Sequence, residues 1–144
     1  KEKGIFTLDE TNKLFGNDAL ENIWNNNLNI FTLNLIAFHT GCRLGELQAL
    51  QVQDINLQDS CIEIKHSWND RFGLGDTKTG KNRIIPVSKE LMGKLLNLSW
   101  GKDDDDFVFS DTDGKTPIAR YKIYVQFKKA LRPITLVPSP RYIT

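Results

Sequence analysis

His39 to Ile55 reads H-T-G-C-R-L-G-E-L-Q-A-L-Q-V-Q-D-I. Before it, Leu28, Phe31, Leu35 and Phe38 recur at spacings of three and four, the period of an amphipathic helix. Gly41 reads as the stop or hinge of that helix, because glycine takes the left-handed conformation in which helices commonly end. Leu44, Leu47 and Leu50 then mark a short further helix that starts near Arg43. Arg43 and Glu46 stand one turn apart, a spacing that an ordinary surface pair also has.

Upstream, Thr7 and Glu10 have the spacing of a capping box, with Phe6 placed to staple it, so a first short helix opens there. Downstream the period changes. Cys61 to Lys65 alternates, and Arg83 to Val87 does so more loosely; both read as strands with a glycine-rich turn between them. Asp54 to Leu57 offers a third short strand. Ser88 caps a helix carrying Leu91, Leu95 and Leu98. Phe107 to Phe109 is a brief extended piece ended by the turn D-T-D-G. Thr116-Pro117 has the form of a helix start, and that helix would present Ile118, Tyr121, Val125 and Leu131. The closing stretch, Arg132 to Thr144, has three prolines after Arg132 and no period. The expected fold is mixed α/β, mainly helical, with a small antiparallel three-stranded sheet.

The 144 residues suit one domain of ordinary size. A hydrophobic share of 40% and a charged share of 26% are those of a soluble globular domain. No apolar run is long enough for a membrane span. Cys42 and Cys61, with no secretory signal, suggest a reducing intracellular compartment. With His39 and His66 they match no usual metal-ligand spacing, and buried thiols are the simpler account. Net charge is only +1, so total charge does not announce a polyanionic partner. Its distribution is uneven: from Gly114 onward there is no Asp or Glu, while Lys115, Arg120, Lys122, Lys128, Lys129, Arg132 and Arg141 are basic. A solvated helix face explains this, and so does contact with a polyanion.

Gly75 to Asn82, G-D-T-K-T-G-K-N, nearly spells the nucleotide-cradling loop G-x-x-x-x-G-K-[ST]. That loop needs a helix after it and a hydroxyl on magnesium. Here Asn82 takes the hydroxyl position, and Arg83 to Pro86 is β-like. The context is a hairpin. A lysine near its tip can neutralise a phosphate or protonate an oxygen leaving group, although lysines also simply keep turns soluble.

The His39–Ile55 stretch resembles the first signature of the tyrosine recombinase (phage integrase) family, T-G-x-R-x-G-E-L followed by an apolar residue and D-I. Thr40, Gly41, Arg43, Gly45, Glu46, Leu47, Leu50, Asp54 and Ile55 match. Thr77, Lys78, Thr79, Arg83, Ile85 and Pro86 resemble the family's lysine-bearing hairpin, T-K-T-x-x-x-R-x-I-P, and F-T-L-D-E at Phe6 to Glu10 resembles the start of its catalytic domain. In such a protein Gly41 turns the chain so that Arg43 points back into a cleft, and Glu46 holds its guanidinium. The resemblance implies that residues 1–144 are the N-terminal and central part of an integrase catalytic domain, the segment with the nucleophilic tyrosine being absent. It implies site-specific cleavage and rejoining of double-stranded DNA through a 3′-phosphotyrosyl intermediate, with no metal or nucleotide cofactor. Arg43 would clamp the phosphate, Lys78 would act as general acid, and Arg141 would be the second clamp. The full-length protein would work as a tetramer on DNA, in the bacterial cytoplasm at the nucleoid, and this fragment would be inactive alone. The family's second signature, H-x-L-R-H, is met by P-S-P-R-Y: Pro138 stands at the histidine position and cannot shuttle a proton. A non-catalytic DNA-binding module derived from a recombinase is therefore the alternative.

Overall fold

The structure is a computed structural model and describes residues 6–77, 80–111 and 113–134. The first helix, α1 (Leu8–Phe15), opens on the expected capping box. The Thr7 N–H donates to Glu10 Oε1 at 2.9 Å, and the Glu10 N–H to Thr7 Oγ1 at 3.1 Å. A one-turn helix, α2 (Ala19–Asn22), follows, then α3 (Leu28–Thr40), capped by the Asn27 side chain, which accepts from the Ile30 N–H. Gly41 ends α3 at φ 72°, as its position in the sequence predicts. A side chain there would meet nothing within 4 Å, so conformation alone calls for glycine.

The chain then makes α4 (Leu44–Gln48), a 3-10 turn, and β1 (Ile55–Asn56). Strands β2 (Cys61–Ile64), β3 (His66–Asn69), β4 (Gly73–Asp76) and β5 (Arg83–Pro86) come next. A three-stranded antiparallel sheet has the order β1-β2-β5, with Ile62 opposite Ile85 and Ile64 opposite Arg83. Helix α5 (Lys89–Ser99) starts at the Ser88 cap, and α6 (Arg120–Leu131) closes the described chain. Both α5 and α6 pack on α3. The core between these layers contains Leu33, Ile36, Leu47, Ile62, Leu95 and Phe109, each at most 1% exposed. Residues 107–110 are stitched to the end of α4: the Val108 N–H donates to Leu50 O at 2.9 Å, and Phe107 bridges to Gln51.

Two expectations change. Between β2 and β5 the chain makes more than a turn: β3 and β4 form a separate hairpin, with Trp68 opposite Leu74. Gly73 and Gly75 give β4 the composition of a loop, and the hairpin holds because β3 lies against α4. Helix α6 begins at Arg120 and not at Pro117, which bridges to Ser110. The Ile118 N–H is still donating to Phe109 O at 2.9 Å, in extended pairing. The cap on α6 comes from elsewhere in the chain: Asp70 Oδ2 accepts the Arg120 N–H at 2.9 Å. Consequently Tyr121 and Val125 face outward, 66% and 45% exposed, while Ile123 and Ala130 face the core.

Candidate functional site

Arg43 sits at the N-cap of α4 in extended conformation, φ −70° and ψ 149°, with an exposed side chain. Two neighbours force this geometry. Gly41 turns the chain away from α3. Glu46, buried, folds back so that its Oε1 accepts the Arg43 N–H at 3.0 Å. The expected grip of Glu46 on the Arg43 guanidinium is not what the structure shows. The carboxylate instead takes Arg83 in a fork: Nη2 to Oε1 at 2.9 Å and Nη1 to Oε2 at 3.0 Å. The reason is register. Pairing with Ile64 brings Arg83 under α4, where a buried carboxylate must find a cation, and an arginine fork satisfies both oxygens at once. Glu46 thus holds Arg43 by its backbone, and among the described residues the Arg43 guanidinium has no ion-pair partner.

Charge follows geometry. Hydrogen bonding to Arg83 holds the Glu46 carboxyl below the usual carboxylate range, against the opposing effect of burial, and the Arg43 N–H and charge add to the lowering. Arg83 is shifted upward by the same pair. The carboxylate that holds the Arg43 N–H is therefore neutralised by Arg83, and among the described residues no carboxylate forms an ion pair with Arg43.

Arg43 opens into a cleft of about 640 Å³ between α4, the β3–β4 hairpin and the start of α6. Its walls include Ser67, Trp68, Gly75, Asp76 and Arg120. Gly45 allows the walls to close: a Cβ there would lie 2.7 Å from Ser67 Oγ and 2.9 Å from Trp68 O. This gives the glycine in T-G-x-R-x-G-E-L a steric reason. Asp54, in the same motif, pairs with Lys65 Nζ at 3.1 Å and ties the 3-10 turn to the end of β2; the pair raises the Lys65 pKa.

Gly75 and Asp76, which lead directly into Thr77 and Lys78, line the cleft that holds Arg43. Thr77 is buried, and its Oγ1 donates to Lys81 O at 3.2 Å. Lys78 and Arg141 themselves lie outside the described residues. The sequence reading missed Arg83 as the partner of Glu46, although Arg83 stands in the hairpin pattern. It also missed Asp70, whose role depends on residues far along the chain. Cys42 and Cys61 are buried thiols, with Cys42 Sγ 3.7 Å from Arg83 Nη2.

An exposed arginine at a helix cap, seated beside a small antiparallel hairpin and fixed through its backbone by a glutamate, marks the class: the fold is that of the tyrosine recombinase catalytic domain. The family model of phage integrases matches residues 5–141, and the chain belongs to that family. It is 26% identical over 112 residues to the tyrosine recombinase XerA of Pyrococcus horikoshii, a match covering 76% of this chain and 36% of that protein. Among solved structures, the Tn1549 transposon integrase in complex with circular intermediate DNA shares the fold at a TM-score of 0.71 and 18% identity, over 100% of this chain and 49% of that one. The crystal structure of XerA recombinase shares it at 0.67 and 19% identity, over 96% and 46%. The chain thus spans about a third of the Pyrococcus horikoshii relative and about half of each structural neighbour. Among the described residues no helix is long and apolar enough to cross a membrane.

Proposed function

We propose that this chain supplies the phosphate-gripping part of a site-specific DNA recombinase. The observation that carries the reading is the exposed Arg43, which has no ion-pair partner among the described residues and lines a cleft whose wall is the strand that precedes Lys78 in the sequence. In that reading Arg43 binds two non-bridging oxygens of a scissile phosphate in double-stranded DNA, for which a planar fork that stays charged at any working pH is suited. A tyrosine gives up its hydroxyl proton to solvent and attacks the phosphorus, and a 3′-phosphotyrosyl bond forms as the bond to the 5′ oxygen breaks. Lys78 gives its proton to the leaving 5′ oxygen. Arg141 is the second clamp on the five-coordinate phosphorus, and Glu46 serves by holding the turn beneath Arg43. Losing one such electrostatic partner raises the barrier by about 2.7–4 kcal/mol. Rejoining is the same chemistry in reverse with a 5′-hydroxyl from the exchanged strand. The proposed setting is a tetramer on DNA at the bacterial nucleoid. The Tn1549 integrase, similar in fold, is in complex with circular intermediate DNA, which supports the choice of partner. Pro138 at the histidine position favours a second reading, a DNA-binding module that has lost its chemistry.

Binding of a labelled duplex by the 144-residue chain, followed by fluorescence anisotropy over a salt series, tests the shared core of both readings. The affinity is expected to fall linearly in log–log form as salt rises. Arg43→Ala is expected to weaken it about tenfold, from the loss of a charge-assisted hydrogen-bonded contact. A salt-independent affinity, or an Arg43→Ala variant that binds like the parent, overturns the proposal.

A further inference from the structure

We propose that Arg120 is a further phosphate-binding cation of the Arg43 cleft, additional to Lys78 and Arg141 and aimed into the cleft by Asp70. The assignment rests on the DNA-binding reading above and extends it to a residue that neither signature of the family resemblance contains.

Arg120 is the first residue of α6, and its guanidinium reaches back over α4. Its Nη2 lies 3.6 Å from the point where a Cβ on Gly45 would stand, two residues along from Arg43. Both arginines line the same cleft. Among the described residues neither guanidinium forms an ion pair. Asp76 lines the cleft too, yet makes no ion pair with either. Two cations that line one cleft and have no carboxylate partner among the described residues attract an anion into it. The oxygens of a backbone phosphate fit two planar forks arriving from different walls.

The placement of Arg120 is built. Asp70, in the β3–β4 loop, spends its carboxylate on three separate N–H groups. Oδ2 accepts the Arg120 backbone N–H at 2.9 Å. Oδ1 accepts Trp68 Nε1 at 2.9 Å and Gln48 Nε2 at 3.3 Å. Gln48 Nε2 also donates to Ile118 O at 2.9 Å. The start of α6 is thereby fixed to α4 and to the hairpin together, and the Arg120 Cα is located relative to Arg43. A solvated arginine on a helix face has no need of such a mount.

The test is anisotropy of the 144-residue chain with the same labelled duplex across a salt series. Arg120→Ala removes the guanidinium but keeps the backbone N–H that Asp70 accepts, so the mount survives. This variant is expected to bind several-fold more weakly, with the log–log salt slope smaller by about 0.9, one phosphate's worth. Arg120→Lys should keep the parental slope while losing part of the affinity, since an ammonium is a point charge. Asp70→Asn separates aiming from charge. It makes the chain more positive, so plain electrostatics predicts tighter binding; if Asp70 aims Arg120, binding weakens. A parental slope in Arg120→Ala, with Arg43→Ala still impaired, overturns the assignment alone. Tighter binding by Asp70→Asn overturns the aiming role. A parent chain that does not bind duplex DNA overturns the underlying reading and this assignment with it.

Discussion

Replacing Glu46 by glutamine isolates what the buried carboxylate does for the turn beneath Arg43. Oε1 serves two donors, the Arg43 N–H at 3.0 Å and Arg83 Nη2 at 2.9 Å, and Oε2 serves Arg83 Nη1 at 3.0 Å. A glutamine oxygen in the Oε1 place keeps two of these bonds in weaker, uncharged form. Its amide nitrogen then faces Nη1, donor against donor. Removing one partner of a fully buried ion pair costs about 3–5 kcal/mol. The Arg83 side chain is 36% exposed and can turn partly to water, so about 2–3 kcal/mol is the expected loss at neutral pH. An unfolding entropy of about 2.1 cal/mol/K per residue gives roughly 0.3 kcal/mol/K for 144 residues, hence a fall in Tm of about 7–10 °C. The sign with pH follows from the lowered carboxyl pKa. Stability from Glu46 is fully present above its unfolded value, about 4.3, and is lost as pH falls through the lower folded value. The gap between parent and Glu46→Gln should therefore be constant from pH 7 to about 5 and narrow below that. Thermal melts by circular dichroism measure it. An equal Tm at pH 7, or a gap that widens in acid, refutes the claim that the Glu46–Arg83 pair fixes this turn.

Gly45→Ala should destabilise by about 1–3 kcal/mol in urea unfolding despite the better helix propensity of alanine, because Trp68 O is backbone and cannot turn away. Gly41→Ala meets open space, so its cost is the left-handed backbone alone, about 1–2 kcal/mol, and Gly41→Asn should cost visibly less in the same measurement.

What could be read from the sequence was local. The caps at Thr7 and Ser88, the stop at Gly41 and the alternation at Cys61–Ile64 all depend on residues within a few positions of one another. The Arg43 turn was legible for the same reason, since its glycines and its glutamate lie within six residues. The misses were non-local. Pro117 has the right form for a first helical residue, but its neighbour's N–H is claimed by Phe109 O, and the cap of α6 arrives from Asp70. Arg83 could not be matched to Glu46 without the β2–β5 register. The β3–β4 hairpin was hidden because its glycines read as loop and its stability comes from contact with α4.

The five-residue helix after Arg43 carries two buried polar side chains, and both are anchored far downstream. Glu46 reaches 37 positions to Arg83, and Gln48 reaches 22 to Asp70 and 70 to Ile118. Closing such long stretches of chain costs entropy before any contact rewards it, so these bonds are expected to form late in folding. On a growing chain Arg43 is expected to lack this platform until residues near 120 have been made. Pulse-labelled hydrogen exchange during refolding should find the amides of α3 protected before those of Glu46 and Leu47.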